Sequence, residues 1–239
     1  GCALEARQIV RLPLSDVSNS ISRAPIVARP SAPVPGTPGT TKESQPSSSA
    51  EQDCNLALDV FGDRLTTPTG RNTVLLTGAT GFIGAHVLQR LLLTHKSWSV
   101  VVAIRAADSD AALRKLQVAL HRYRIVVSLR RVRAIAVQCL SLPLPNLDAL
   151  VMQVDVVIHI AARVSLAASY GVLRDSNVLA TRNMIAFAHR AGARLHFCST
   201  LSVFGDAKGG TVADVSDWPP LEPTDDAYGV SKFVGSLLA

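Results

Sequence analysis

Residues 73–84, from Thr73 to Gly84, read TVLLTGATGFIG. The first five form a short apolar run, the pattern of a strand buried on both faces. The glycines that follow, Gly78, Gly81 and Gly84, are spaced G-x-x-G-x-x-G. From Phe82 to Leu93 the chain is apolar along its length, with Ile83, Val87, Leu88, Leu91 and Leu92, as in a helix packed on a sheet. A strand that turns through glycines into a helix is the opening unit of a doubly wound α/β fold. Gly78 suits the tight turn, Gly81 lets a pyrophosphate approach the backbone, and Gly84 lets the helix approach the strand. The helix start offers free N–H groups and a partial positive charge to the phosphates, with Thr80, Phe82 and Ile83 in the same loop. An ordinary glycine-rich turn is the alternative, and the strand–turn–helix context weighs against it.

The alternation continues outward. Val100–Ile104 is a second strand and Ser109–Tyr123 a helix capped by Asp108 or Ser109. Further strands fall at Ala134–Gln138, Val154–Ile160 and Leu195–Ser199, and helices at Asn177–His189 and Asp226–Leu238. The strands are apolar on both faces, so the fold class is α/β, a Rossmann-like doubly wound parallel sheet. The second strand should end near the adenosine ribose, and it ends at Ile104-Arg105. A carboxylate there would hold the ribose hydroxyls of NAD, whereas a guanidinium suits a 2′-phosphate. The expected cofactor is therefore NADPH, with Arg105 as phosphate reader and Lys115 as a second cation. A solvated strand-end charge is the alternative for Arg105.

Near the C-terminus stands Tyr228-Gly229-Val230-Ser231-Lys232. Residues four apart share a helix face, so Tyr228 and Lys232 point the same way. An ammonium beside a phenol lowers its pKa, and the lysine can also hold the nicotinamide ribose. Such a phenol can give a proton to a carbonyl oxygen as hydride arrives. Loops at the carboxyl ends of strands bind ligands in open sheets, and Leu195–Ser199 runs into Thr200. Thr200, with Ser199 as runner-up, is the hydroxyl expected to share the substrate carbonyl with Tyr228. The alternative is a turn-capping Ser/Thr.

The chain has 239 residues, 48% hydrophobic and 18% charged, which excludes a wholly disordered protein. No apolar run reaches the ~18–20 residues of a membrane span, so no membrane partner is expected. The net charge of +6 resides in residues 105–133, which hold eight Lys/Arg against Asp108 and Asp110. Tyr123 is the one aromatic residue among these basic side chains, and no nucleic-acid motif is visible, so nucleic acid is not expected as a partner. The four cysteines, Cys2, Cys54, Cys139 and Cys198, form no C-x-x-C pair and no metal spacing, which points to a reducing, cytoplasmic setting. Eight of the thirteen prolines lie in residues 1–70, most of them between Pro25 and Pro46. The expected organisation is a small N-terminal piece over 1–27, a Pro/Ser-rich linker over 28–70 and the dinucleotide-binding domain over 71–239.

These residues together are similar to the extended short-chain dehydrogenase/reductase family. Within it they resemble the thioester reductase domains that terminate non-ribosomal peptide synthetases, carboxylic acid reductases and aminoadipate reductases. The resemblance rests on TGATGFIG (77–84), VVAIRA (101–106), DVVIHIAARV (155–164), LRDSNVLATRNMI (173–185), STLSVFG (199–205) and YGVSK (228–232). It implies a catalytic set of Thr200, Tyr228 and Lys232, with Asn177 positioning the lysine. It also implies that His159 to Ala162, including Ala161, line the nicotinamide side. The implied reaction is NADPH-dependent reduction of an acyl thioester on the phosphopantetheine arm of a carrier domain, giving an aldehyde or, after a second round, an alcohol. Residues 1–27 resemble a degenerate carrier protein in which Ala3 stands where the phosphopantetheine serine belongs.

The chain departs from that pattern at several points. Gln138-Cys139-Leu140 replaces Gly-Asp-Leu, His159-Ile160 replaces His-Asn, and Gly235-Ser236 replaces Ala-Glu. The sequence ends seven residues after Lys232, so it is expected to be a fragment lacking the C-terminal substrate lobe. Two further readings stay open. One is an extended short-chain enzyme acting on another carbonyl compound; the other is a cofactor-binding remnant without turnover.

Overall fold

The apolar run that opens the fold is strand β1 (Thr73–Thr77), in which Val74, Leu75 and Leu76 are fully buried. The computed structural model describes residues 47–54, 56, 70, 72–204 and 226–239. The N-terminal piece expected over 1–27 and most of the expected linker lie outside them. Five strands form one sheet in the order β3-β2-β1-β4-β5, with every neighbouring pair parallel. They are β1, β2 (Ser99–Arg105), β3 (Val132–Val137), β4 (Val156–His159) and β5 (Arg194–Phe197). The chain steps from β1 through β2 to β3 on one side, then returns to place β4 on the other side of β1. This reversal opens a crevice between the carboxyl ends of β1 and β4, where ligands bind in such sheets.

Side chains alternate between two cores, as the two-residue period of a strand requires. Val74, Leu76, Val100, Val102 and Ile104 face helices α2 (Phe82–Thr94) and α3 (Ser109–Arg122), meeting Leu88, Leu92, Leu116 and Leu120. Leu75, Val101, Ala103 and Val157 face the other way, toward Leu150 and Val151 of helix α4 (Leu147–Val151) and Met184 and Phe187 of helix α6 (Ala180–Ala191). A fully buried leucine is worth about 1.5–3 kcal/mol, so Leu75 and Leu76 anchor β1 from both sides.

Capping follows the local sequence. The Asp108 carboxylate accepts from the Ala111 N–H at 2.7 Å, so Asp108 rather than Ser109 caps α3. Helix α6 stops where Gly192 takes a left-handed conformation (φ +61°). At the end of α2, the Arg131 guanidinium donates to the carbonyls of Leu92 (2.5 Å), His95 (2.7 Å) and Trp98 (2.7 Å). One cation of the basic segment is thus a structural cap.

Three helices differ from the sequence expectation, which placed none over α4. The helix expected from Asn177 begins earlier, as α5 (Tyr170–Arg174), and reaches α6 through a π turn over Asp175–Leu179. Buried Leu173 and Val178 are five apart, a spacing that a 3.6-residue period does not reveal. Within the segment expected as linker, Ser47–Cys54 forms helix α1. Its Ala50 is buried against Tyr170, Val178, Val234 and Leu238, the last two on the final helix α7 (Ala227–Leu238).

Candidate cofactor cleft and active site

The glycine loop has the geometry its spacing implies. Gly78 adopts φ +76°, and a Cβ there would lie 2.7 Å from the Ala161 nitrogen. A Cβ on Gly84 would lie 2.1 Å from the Gly78 carbonyl oxygen, so helix and turn touch through that hydrogen. At Gly81 the nearest atom to an added Cβ is 3.4 Å away, ordinary contact. Gly81 is the N-cap of α2, and no side chain caps this helix start. Phe82 and Ile83 expose their side chains there, and Thr80 is half-buried. An uncapped helix N-terminus beside a topological switch point fits a dinucleotide pyrophosphate.

Thr77, unassigned in the sequence reading, joins the two loops of the crevice. Its hydroxyl oxygen accepts from the backbone N–H groups of Ile160 and Ala161, both at 3.2 Å, and lies 2.7 Å from His159 Nδ1. With two N–H groups aimed at that oxygen, its proton goes to His159 Nδ1, which leaves the proton on Nε2. His159 does not line the cleft. It is fully buried, packed at 5.8 Å against the Phe197 ring, and Nε2 finds no partner among the described residues. Burial and the nearby Lys232 charge push its pKa down to about 3. Ala161 and Ala162 are half-buried in the loop above it.

At the adenosine end, Arg105 is exposed at the tip of β2. Lys115 reaches back from α3 to donate to the Arg105 carbonyl at 2.7 Å, which places its ammonium at the same strand end. No carboxylate stands in the adjoining Gln138-Cys139-Leu140 segment.

At the other end, α7 begins at Asp226, whose carboxylate accepts from the Tyr228 N–H at 2.9 Å. Lys232 is buried to 2% exposure, its Nζ 2.5 Å from the Cys198 carbonyl and 4.1 Å above the Phe197 ring. Burial lowers its pKa to about 8. Burial, then the Cys198 thiol, raises the Tyr228 phenol, while a hydrogen bond with Thr200 opposes the rise. The expected tuning of Tyr228 by Lys232 is absent from this arrangement, because the ammonium turns to the β5 terminus instead. Thr200 and Tyr228 are brought together. Ser199 is not part of that pair: its hydroxyl lies 2.7 Å from that of Ser236.

Asn177 is buried, yet it does not touch Lys232. Its Oδ1 accepts from the Arg163 N–H at 2.7 Å, and its Nδ2 donates to the Arg163 carbonyl (3.0 Å) and the Ser231 hydroxyl (2.9 Å). It therefore clamps the loop after β4 to the residue preceding the lysine. Ser231, missed in the sequence reading, was detectable only as the interior neighbour of Lys232 in YGVSK.

An NAD-binding family model described as "Male sterility protein" matches residues 76–236. The chain belongs to this family. Among relatives of this male sterility protein family member, "Aldehyde reductase lnbA" of Aspergillus flavus is 30% identical over 205 residues, covering 78% of this chain and 20% of the relative. "Hybrid PKS-NRPS synthetase gkaA" of Penicillium citrinum is 33% identical over 169 residues, covering 70% of this chain and 4% of the relative. Among solved structures, the terminal R domain from the myxalamid PKS-NRPS biosynthetic pathway is similar at 27% identity with a TM-score of 0.71, covering 80% of this chain and 50% of that one. The chain thus spans half of that reductase domain and a fifth or less of these two relatives. Among the described residues, no helix is long and apolar enough to cross a membrane.

Proposed function

We propose that this chain carries the cofactor and proton-donating half of an NADPH-dependent reductase for acyl thioesters borne on a phosphopantetheinyl carrier domain. The observation that supports the reading most is the pairing of Tyr228 with Thr200, one helical turn from buried Lys232, in a sheet whose first helix has an uncapped start. The residues present fit the cofactor. Gly78, Gly81 and the first-turn N–H groups of Phe82 and Ile83 would hold the pyrophosphate. Arg105 and Lys115 would meet the 2′-phosphate, and Tyr228 and Lys232 would hold the nicotinamide ribose. When bound, the cofactor supplies hydride to the thioester carbonyl carbon.

The chain's own groups act on the oxygen. Thr200 and Tyr228 donate hydrogen bonds to it as negative charge develops, and Tyr228 supplies the proton. Lys232, released from the Cys198 carbonyl, would lower the phenol pKa by its positive charge. Asn177 holds Ser231, and through it α7, in place. Loss of the pantetheine thiol from the reduced carbon leaves an aldehyde.

The relatives' names support a carrier-bound substrate, since one is called a hybrid PKS-NRPS synthetase. The exposed cations Arg114, Arg122, Arg124 and Arg130 offer a face for an acidic carrier domain. Reversing these charges should weaken carrier binding and leave NADPH binding intact. The unpaired thiols of Cys54, Cys139 and Cys198 support a reducing, cytoplasmic setting.

The deciding experiment titrates the purified chain with NADPH and NADH by calorimetry, then offers carrier-bound and CoA thioesters and traps aldehyde. Preferred NADPH binding with aldehyde release supports the reading. NADPH binding without turnover identifies a cofactor-binding remnant, and turnover of another carbonyl compound alone moves the chain to a different reductase class.

A further inference from the structure

Helix α1 lies upstream of the dinucleotide fold, yet it packs on the helix that bears Tyr228 and Lys232. Val234 and Leu238 lie across α7 from those two residues, and it is this back face that meets Ala50 of α1. Three residues along, Asp53 is buried to 2% exposure. Its carboxylate accepts from Arg174 Nε (2.6 Å), Arg174 Nη2 (2.6 Å) and the Tyr170 hydroxyl (2.8 Å). Donation to Asp53 is the leading influence on Arg174 and raises its pKa, while burial first, then donation to Asp53, raises that of Tyr170. Both partners belong to α5, which runs through the π turn to Asn177 and so to Ser231.

A buried carboxylate needs its full set of donors, and replacing such a pair by apolar side chains often leaves stability unharmed. What a bidentate pair adds is a fixed geometry. We propose that Ser47–Cys54 is a strap that holds the catalytic helix from behind, and that Asp53 is its positioning residue. The strap sets where α7 stands relative to Thr200 and the cofactor crevice, so residues outside the dinucleotide fold complete the active site. The catalytic part of this inference rests on the reductase reading above; the structural part does not.

The test uses the full chain with Asp53→Ala, Ala50→Arg and the apolar pair Asp53→Leu/Arg174→Met. Hydrogen exchange is followed in residues 227–238 and in residues 73–105 as the internal reference. The strap predicts at least tenfold faster exchange in 227–238, with exchange in 73–105 unchanged within twofold. It also predicts that the apolar pair, at a parental melting temperature, lowers kcat on thioester at least tenfold. Unchanged exchange in 227–238, equal acceleration in both regions, or parental kcat in the apolar pair would overturn it. Should Asp53→Ala fail to fold, Ala50→Arg and the apolar pair carry the same readouts. A parent chain that turns over no thioester defeats the reductase reading, and exchange then still decides the strap.

Discussion

Lys232 is held as an ammonium in the interior, against one carbonyl and one aromatic ring. Lowering its pKa from 10.5 to about 8 corresponds to about 3 kcal/mol less favourable interaction for the charged form than in water. Function therefore opposes stability at this position. Lys232→Met should melt higher than the parent at pH 7 while losing turnover. Because the folded pKa lies below the unfolded one, the unfolded chain binds more protons between pH 8 and 10.5. Parental stability should rise through that window and the advantage of Met should shrink; a lower melting temperature for Lys232→Met at pH 7 would sink the argument. His159 shows a linkage of the same sign at acid pH. With a folded pKa of about 3 against 6.5, its neutral form contributes full stability above pH 6.5. That contribution falls as pH drops toward 3, by up to about 1.4 kcal/mol per pH unit. Urea melts at pH 7, 5.5 and 4.5 should show this decline, and His159→Asn should flatten it.

At the scale of elements, the turn between β1 and α2 separates two uses of glycine. Gly84 exists for packing, since its Cβ would overlap the Gly78 carbonyl at 2.1 Å. Gly84→Ala should destabilise the fold by about 1–3 kcal/mol or more. Gly81 has room for a methyl group in the protein itself. Gly81→Ala should keep the parental melting temperature within about 0.5 kcal/mol of stability, yet lose at least about tenfold in NADPH affinity, or 1.4 kcal/mol. Calorimetry and thermal melts on both variants distinguish the roles. This turn was legible in sequence because steric need and glycine spacing coincide. The π turn was not, because its five-residue spacing imitates no regular period. Nor was α1, whose polar SSSAEQDC sequence hides a helix stabilised by distant partners. Within the candidate site, Tyr228, Lys232 and Thr200 were readable as motif letters. The Lys232 contact with the Cys198 carbonyl and the Asn177 clamp were not, because both join segments far apart in sequence.

Across the whole molecule, ligand binding and folding are linked. NADPH bound at a hundred times its Kd should add about 2.7 kcal/mol to stability. For a domain of this size that is a rise of roughly 5–10 °C in melting temperature. NADH at the same concentration should give a visibly smaller rise if Arg105 and Lys115 read the 2′-phosphate, and equal rises would refute that assignment. The alternation of apolar strands made the parallel sheet readable, and the return of the chain to β4 fixes where its crevice opens. The Asp53–Arg174 pair spans 121 residues of sequence. On a ribosome adding about 5–20 residues per second, that gap lasts roughly 6–24 s. The strap is thus made before every strand of the sheet and finds its seat only after α5 and α7 have emerged. A nascent chain holds this helix unseated until α5 and α7 have emerged, and its docking marks the arrival of α7.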